Sequence, residues 1–228
     1  MSDAAPATRP LTATAFATLL LIALMMGANH VAARTAFDQG LDVATAVAMR
    51  SGVTALVVAL LVPRAALAAL QPRHRTWLPV IGALVALQSL CLYASVARLP
   101  VALALLAFNT FPLWTALWAR VFYRHRAERR VLLAMPAILL GLTLALDVFG
   151  AASGLGAAAH WARIGVGVAF ALAAAALFGA ALVFTQHEAG TLDGRLRTAT
   201  TMAIVAVIAV AVGGVQGGPH WPRAPVGR

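Results

Sequence analysis

The residue with the most chemical meaning is Arg50, an arginine inside an apolar stretch eight residues beyond Asp42. Eight helical residues at about 1.5 Å each place it about 12 Å along its helix. A charge at that depth costs about 2.5–3.5 kcal/mol on insertion scales, so it needs a compensating role. It can attract carboxylates or phosphates as a substrate-facing cation, or it can snorkel and tie backbone carbonyls. Asn29 and His30 lie side by side in the preceding apolar run. They can line a polar cavity, where His30 could take up a proton near neutral pH, or they can serve as interhelical hydrogen-bond glue. Gln88 and Tyr93 in a third run and Asn109 in a fourth are polar groups that lipid cannot satisfy, so each needs a partner or water. Asp147 ends a fifth run, where proton coupling competes with plain hydration at the interface. Trp114 and Trp118 share a helix face and read as an interfacial belt or part of an aromatic ligand site.

The elements that position these residues follow from composition. Hydrophobic residues make up 62% of the 228 and charged residues 11%, against about 25% charged in soluble domains. A bilayer, not a soluble core, hides that much apolar surface. The expected fold class is all-α, a polytopic integral membrane bundle whose partner is the lipid bilayer. The spans run between Arg9 and Arg34, Asp42 and Arg64, Arg75 and Arg98, Leu99 and Arg120, Arg130 and Asp147, Arg163 and Glu188, and Arg197 and Gly213, seven in all. The alternating ten-residue strands of a β-barrel are absent. The apolar stretch from Leu11 to Gly27 exceeds a signal-peptide core and reads as an uncleaved first helix. Pro112 and Pro136 fall within spans four and five and can kink them.

All 17 basic residues are arginines, and the net charge is +10. They punctuate apolar runs and form no continuous basic face, which excludes a nucleic-acid partner. With a cytoplasmic N-terminus, eleven arginines fall in inside segments and five (Arg34, Arg98, Arg163, Arg223 and Arg228) outside, Arg50 standing apart. The positive-inside rule then orients the chain in a bacterial-type inner membrane, with the C-terminus outside. The lone Cys91 excludes an intrachain disulfide or CxxC metal site. No P-loop, GxGxxG or HExxH is present, and Gly150–Gly154 has one residue too many for a Gly-x-Ser-Gly nucleophile, so neither an enzyme nor a cofactor or metal site is expected.

Aligning Gly27 with Gly179 lays Ala23–Val31 over Ala175–Val183, with Ala, Gly, Ala and Val coincident. This offset puts span one over span six and span two over span seven, a five-helix unit whose second copy is inverted. The sequence Gly27-Ala28-Asn29-His30-Val31-Ala32-Ala33-Arg34 resembles the Trp-Gly-x-Asn-Phe-x-x-x-(Arg/Lys) pattern of the EamA-type transporters of the drug/metabolite transporter superfamily, with Met26 where that family has Trp. Ala48-Met49-Arg50, the Tyr93–Ala102 hairpin, Pro112 and Glu128 are similar to further recurrent features of the family. The resemblance implies small-molecule transport, with a site near the midplane between two units. It also implies a domain plan: a tail over 1–10, a complete unit over 11–150, a linker over 151–162, a partial second unit over 163–213 and a tail over 214–228. Ten helices are the family's design, so three are lacking. The expectation that follows is a chain that inserts but, alone, does not carry out coupled transport, unless a homodimer fills the gap. A transport-inactive protein or partner subunit is the competing reading.

Overall fold

The computed structural model describes residues 12–125, 129–147 and 157–218. Helices account for the ordered elements: α1 (Ala13–Asp38), α2 (Val43–Ala59), α3 (Arg64–Ala68), α4 (Pro72–Val96), α5 (Val101–Phe108), α6 (Phe111–Tyr123), α7 (Arg129–Ala145), α8 (Ala157–Glu188) and α9 (Gly194–Val215). No strand occurs among the described residues. Five stretches are long and apolar enough to cross a membrane: α1, α4, Val101–Tyr123, most of α8, and α9. Two shorter apolar helices, α2 and Met135–Ala145, fall within the second and fifth expected spans. The chain is an all-α, multi-pass membrane bundle.

Helix ends follow local chemistry. Thr12, Asp42 and Asp193 stand in front of α1, α2 and α9, and their side-chain oxygens accept hydrogen bonds from the Ala15, Thr45 and Arg195 amides. Those amides have no carbonyl partner within the helix. Arginines serve the opposite ends, where carbonyls are left over. Arg34 Nη1 donates to the Val96 and Leu99 carbonyls, 2.9 and 3.3 Å away, and Arg195 donates to Leu61 O at 3.1 Å. The charges that mark span limits in the sequence thus also knit the loops together.

The fourth span is not one continuous helix. It breaks at Asn109–Thr110 into α5 and α6, because Pro112 in the first turn of α6 has no N–H to offer the Phe108 carbonyl. Helix α8 begins within the stretch 151–162. The run Ala157-Ala158-Ala159 favours helix, and α8 starts at Ala157. Helices α8 and α9 together run from Ala157 to Val215. The short α3 was not anticipated. Arg9 and the 1–10 tail, Glu128, Ser153 and the last ten residues lie outside the described residues.

The core lies where α4 meets α8 and α9, with α2 alongside α9 and α5–α6 alongside α8. Leu99, at the tip of the α4–α5 turn and 1% exposed, caps Gly167 of α8 so closely that an added Cβ there would sit 2.5 Å from Leu99 Cγ. Gly179 admits α6 in the same way, an added Cβ falling 2.8 Å from the Thr115 backbone nitrogen. Its aligned counterpart Gly27 meets nothing within 4 Å. Helix α1 is correspondingly peripheral, with His30 its one buried residue.

Candidate binding site

Three helices bring the polar residues of the first spans together. Asn29 and His30 come from α1, Arg50 from α2, and Gln88, Ser89 and Tyr93 from α4. Arg34 holds α1 in place by its bonds to the α4–α5 turn, and its guanidinium also pairs with Asp38 of the same helix, 3.2 Å away. One turn earlier, Asn29 Nδ2 donates to Tyr93 Oη at 2.8 Å. The Tyr93 ring is 2% exposed and meets three partners: the His30 ring at 5.7 Å, the Phe37 ring edge-on at 5.8 Å, and the Arg50 guanidinium 5.1 Å from its centroid. Tyr93 is therefore the hub that orients the other groups.

Arg50 is under-compensated. Its Nη2 donates to Ser89 Oγ at 3.3 Å, and Ser89 in turn donates weakly to Gln88 Oε1 at 3.4 Å. Its Nε is buried with no hydrogen-bond partner, as is His30 Nδ1. No carboxylate among the described residues forms an ion pair with it. Asp38 serves Arg34, Asp42 caps α2, Glu188 serves Arg73 and Asp193 caps α9. A cation over an aromatic ring gains about 0.5–2 kcal/mol, whereas withdrawing a charge from water costs several kcal/mol. The balance favours an added anion. Asn29, His30 and Arg50 face a cavity of about 400 Å³ whose other wall is Leu21, Ile22, Met25 and Met26. That volume falls in the small-molecule range.

Asn109 does not join this group. It ends α5 at the break, with its side chain exposed. Trp114 and Trp118 stack at 6.4 Å and pack against α8, where Trp118 Nε1 donates to the Ala176 carbonyl at 2.9 Å. They join two helices rather than standing free at an interface. Asp147 follows α7 with a left-handed φ of 47°.

A second polar cluster, not foreseen in the sequence, ties α4, α6 and α8 at the opposite end of α4. Glu188, only 7% exposed, accepts from Arg73 Nε at 2.6 Å and from Tyr123 Oη at 2.5 Å. Arg73 Nη2 also reaches the His187 carbonyl at 3.3 Å, and the Tyr123 ring stacks on His187 at 3.8 Å. Sequence separations of 115 and 65 residues hid these pairs. The one available signal was an acidic residue closing a long apolar run. Sixteen residues of helix, about 24 Å at 1.5 Å per residue, separate Arg73 from Ser89, so the cluster closes one end of the bundle and the Arg50 cavity lies towards the other.

The helix order and the α1–α2–α4 polar group can be set beside known proteins. The model of the EamA-like transporter family matches residues 13–146, more than half of the chain and all of α1 to α7. No curated protein and no solved structure matches. The chain belongs to the EamA-like transporter family.

Proposed function

We propose that this protein is a secondary transporter of a small solute with an anionic group, and that Arg50 binds that group. The observation that carries the reading is the half-buried guanidinium at mid-helix, its Nε without a partner, on the wall of a cavity beside Asn29 and His30. Tyr93 and Ser89 aim the guanidinium, and Asn29 and His30 offer further polar contacts to the solute. The Glu188 cluster seals the far end of α4, α6 and α8 while the site is open elsewhere. The arginine distribution supports a cytoplasmic N-terminus in a bacterial-type inner membrane, which puts the Glu188 cluster on the cytoplasmic side.

The test is uptake by the purified chain in proteoliposomes, using a panel of labelled acids: an aromatic, a branched and a straight-chain carboxylate, and a phosphomonoester. The expected result is saturable uptake of at least one acid by the chain as a homodimer, lost in Arg50→Gln and partly kept in Arg50→Lys. Uptake that is equal in wild type and Arg50→Gln for every acid refutes the assignment.

A further inference from the structure

The wall of the Arg50 cavity tells more about the solute than its charge. Leu21, Ile22, Met25 and Met26 line the cavity, yet they are 60, 50, 66 and 59% exposed. They are therefore both cavity lining and outer surface of a membrane-spanning helix, in a stretch where α1 has no buried residue before His30. The cavity opens sideways, through these apolar side chains, on the outer face of α1. Arg50 and His30 line its polar side, and beneath that surface Arg50 Nε and His30 Nδ1 are buried without partners. A fully hydrophilic anion would satisfy Arg50 but leave its remaining polar groups against an apolar wall, where nothing hydrogen-bonds them. A plain hydrocarbon would suit the wall and leave the guanidinium as it is.

We propose that the ligand is an anionic amphiphile, with one carboxylate- or phosphate-type head on Arg50 and an apolar tail along Leu21–Met26, entering laterally from the bilayer. This rests on the transporter reading of the same cavity and adds the class of solute and its route. The head accepts from the Arg50 guanidinium, with Asn29 and His30 beside it on the same wall. The flexible thioethers of Met25 and Met26 adapt to tails of different shape.

The experiment measures binding of labelled decanoate to the full chain in phosphatidylcholine nanodiscs, against empty nanodiscs and free aqueous concentration. Each buried methylene tightens binding about fourfold, so decanoate should bind about two hundred times tighter than hexanoate. Decanol, with the same tail and no charge, should bind at least tenfold more weakly. Arg50→Gln should reduce decanoate to the level of decanol, and Arg50→Lys should keep most of the affinity. Gel filtration of both variants, with the Lys variant keeping the charge, separates loss of the site from loss of the fold. Phosphatidylglycerol added to the nanodiscs identifies the source of the head. If it displaces decanoate the ligand is a membrane lipid, and if it does not the ligand is a single-chain amphiphile; both support the proposal. Decanol equal to decanoate overturns it. Hexanoate equal to decanoate, with both dependent on Arg50, overturns the amphiphile and leaves the transporter site standing. If no anion binds in an Arg50-dependent way, both fall.

Discussion

Gly27 and Gly179 occupy aligned positions in α1 and α8, and their surroundings predict opposite responses to one added methyl group. At Gly179 the new Cβ would lie 2.8 Å from the Thr115 amide nitrogen and 2.9 Å from Trp114 Cβ. The first of these is backbone and cannot rotate away, so α6 must retreat from α8. Overpacking of this kind costs about 1–3 kcal/mol. The Trp118–Ala176 hydrogen bond lies one turn along the same seam, and loosening it adds about 0.5–1.5 kcal/mol. Better helix propensity returns at most about 1 kcal/mol. Gly179→Ala should thus lose about 1–3 kcal/mol. At Gly27 nothing lies within 4 Å, so only the propensity gain of up to about 1 kcal/mol remains. Titrating each variant with dodecyl sulfate in mixed micelles, and following unfolding by tryptophan fluorescence, measures the difference. A Gly179→Ala variant as stable as Gly27→Ala would falsify the α6–α8 packing described above.

Three other outcomes follow from the same contacts. Tyr93→Phe removes the acceptor for Asn29 and should cost about 1 kcal/mol in the same titration, while keeping the ring under Arg50; an unchanged midpoint contradicts the role of Tyr93 as hub. Glu188→Gln and Tyr123→Phe share one carboxylate, so their effects on thermal stability should be non-additive, and strict additivity contradicts a coupled cluster. Reporter fusions after residue 228 should be active only in an extracytoplasmic assay if the N-terminus is cytoplasmic; a cytoplasm-active C-terminal reporter reverses the orientation.

The spans were legible because charge is so costly in lipid that, Arg50 apart, the arginines stand at the ends of apolar runs. The break in the fourth span was legible in part, since Pro112 removes a fixed donor, but its place at Asn109–Thr110 depends on turn geometry. That same geometry carries Asn109 out to the surface and away from the other polar residues, which a count of polar groups per span could not reveal. Asn29, His30, Arg50, Gln88 and Tyr93 were singled out because each is expensive in an apolar helix. Their meeting was not legible, because Asn29 and Tyr93 are 64 residues apart and meet through the packing of α1 on α4. Glu188 illustrates the opposite case. In the sequence it marks only the limit of a span, yet its carboxylate is buried between Arg73 and Tyr123. Exposed ends and buried interhelical ties have the same sequence signature, a charge at the edge of an apolar run.

The central claim is that solute passes through the Arg50 cavity. Counterflow tests it most directly: proteoliposomes loaded with the unlabelled acid that shows the strongest uptake are diluted into a trace of the labelled acid, and transient accumulation is recorded. Wild type and Arg98→Gln, a change at an exposed arginine outside the cavity, should both overshoot, and Arg50→Gln should show no overshoot at equal reconstituted protein. An Arg50→Gln overshoot as large as that of wild type would contradict the account.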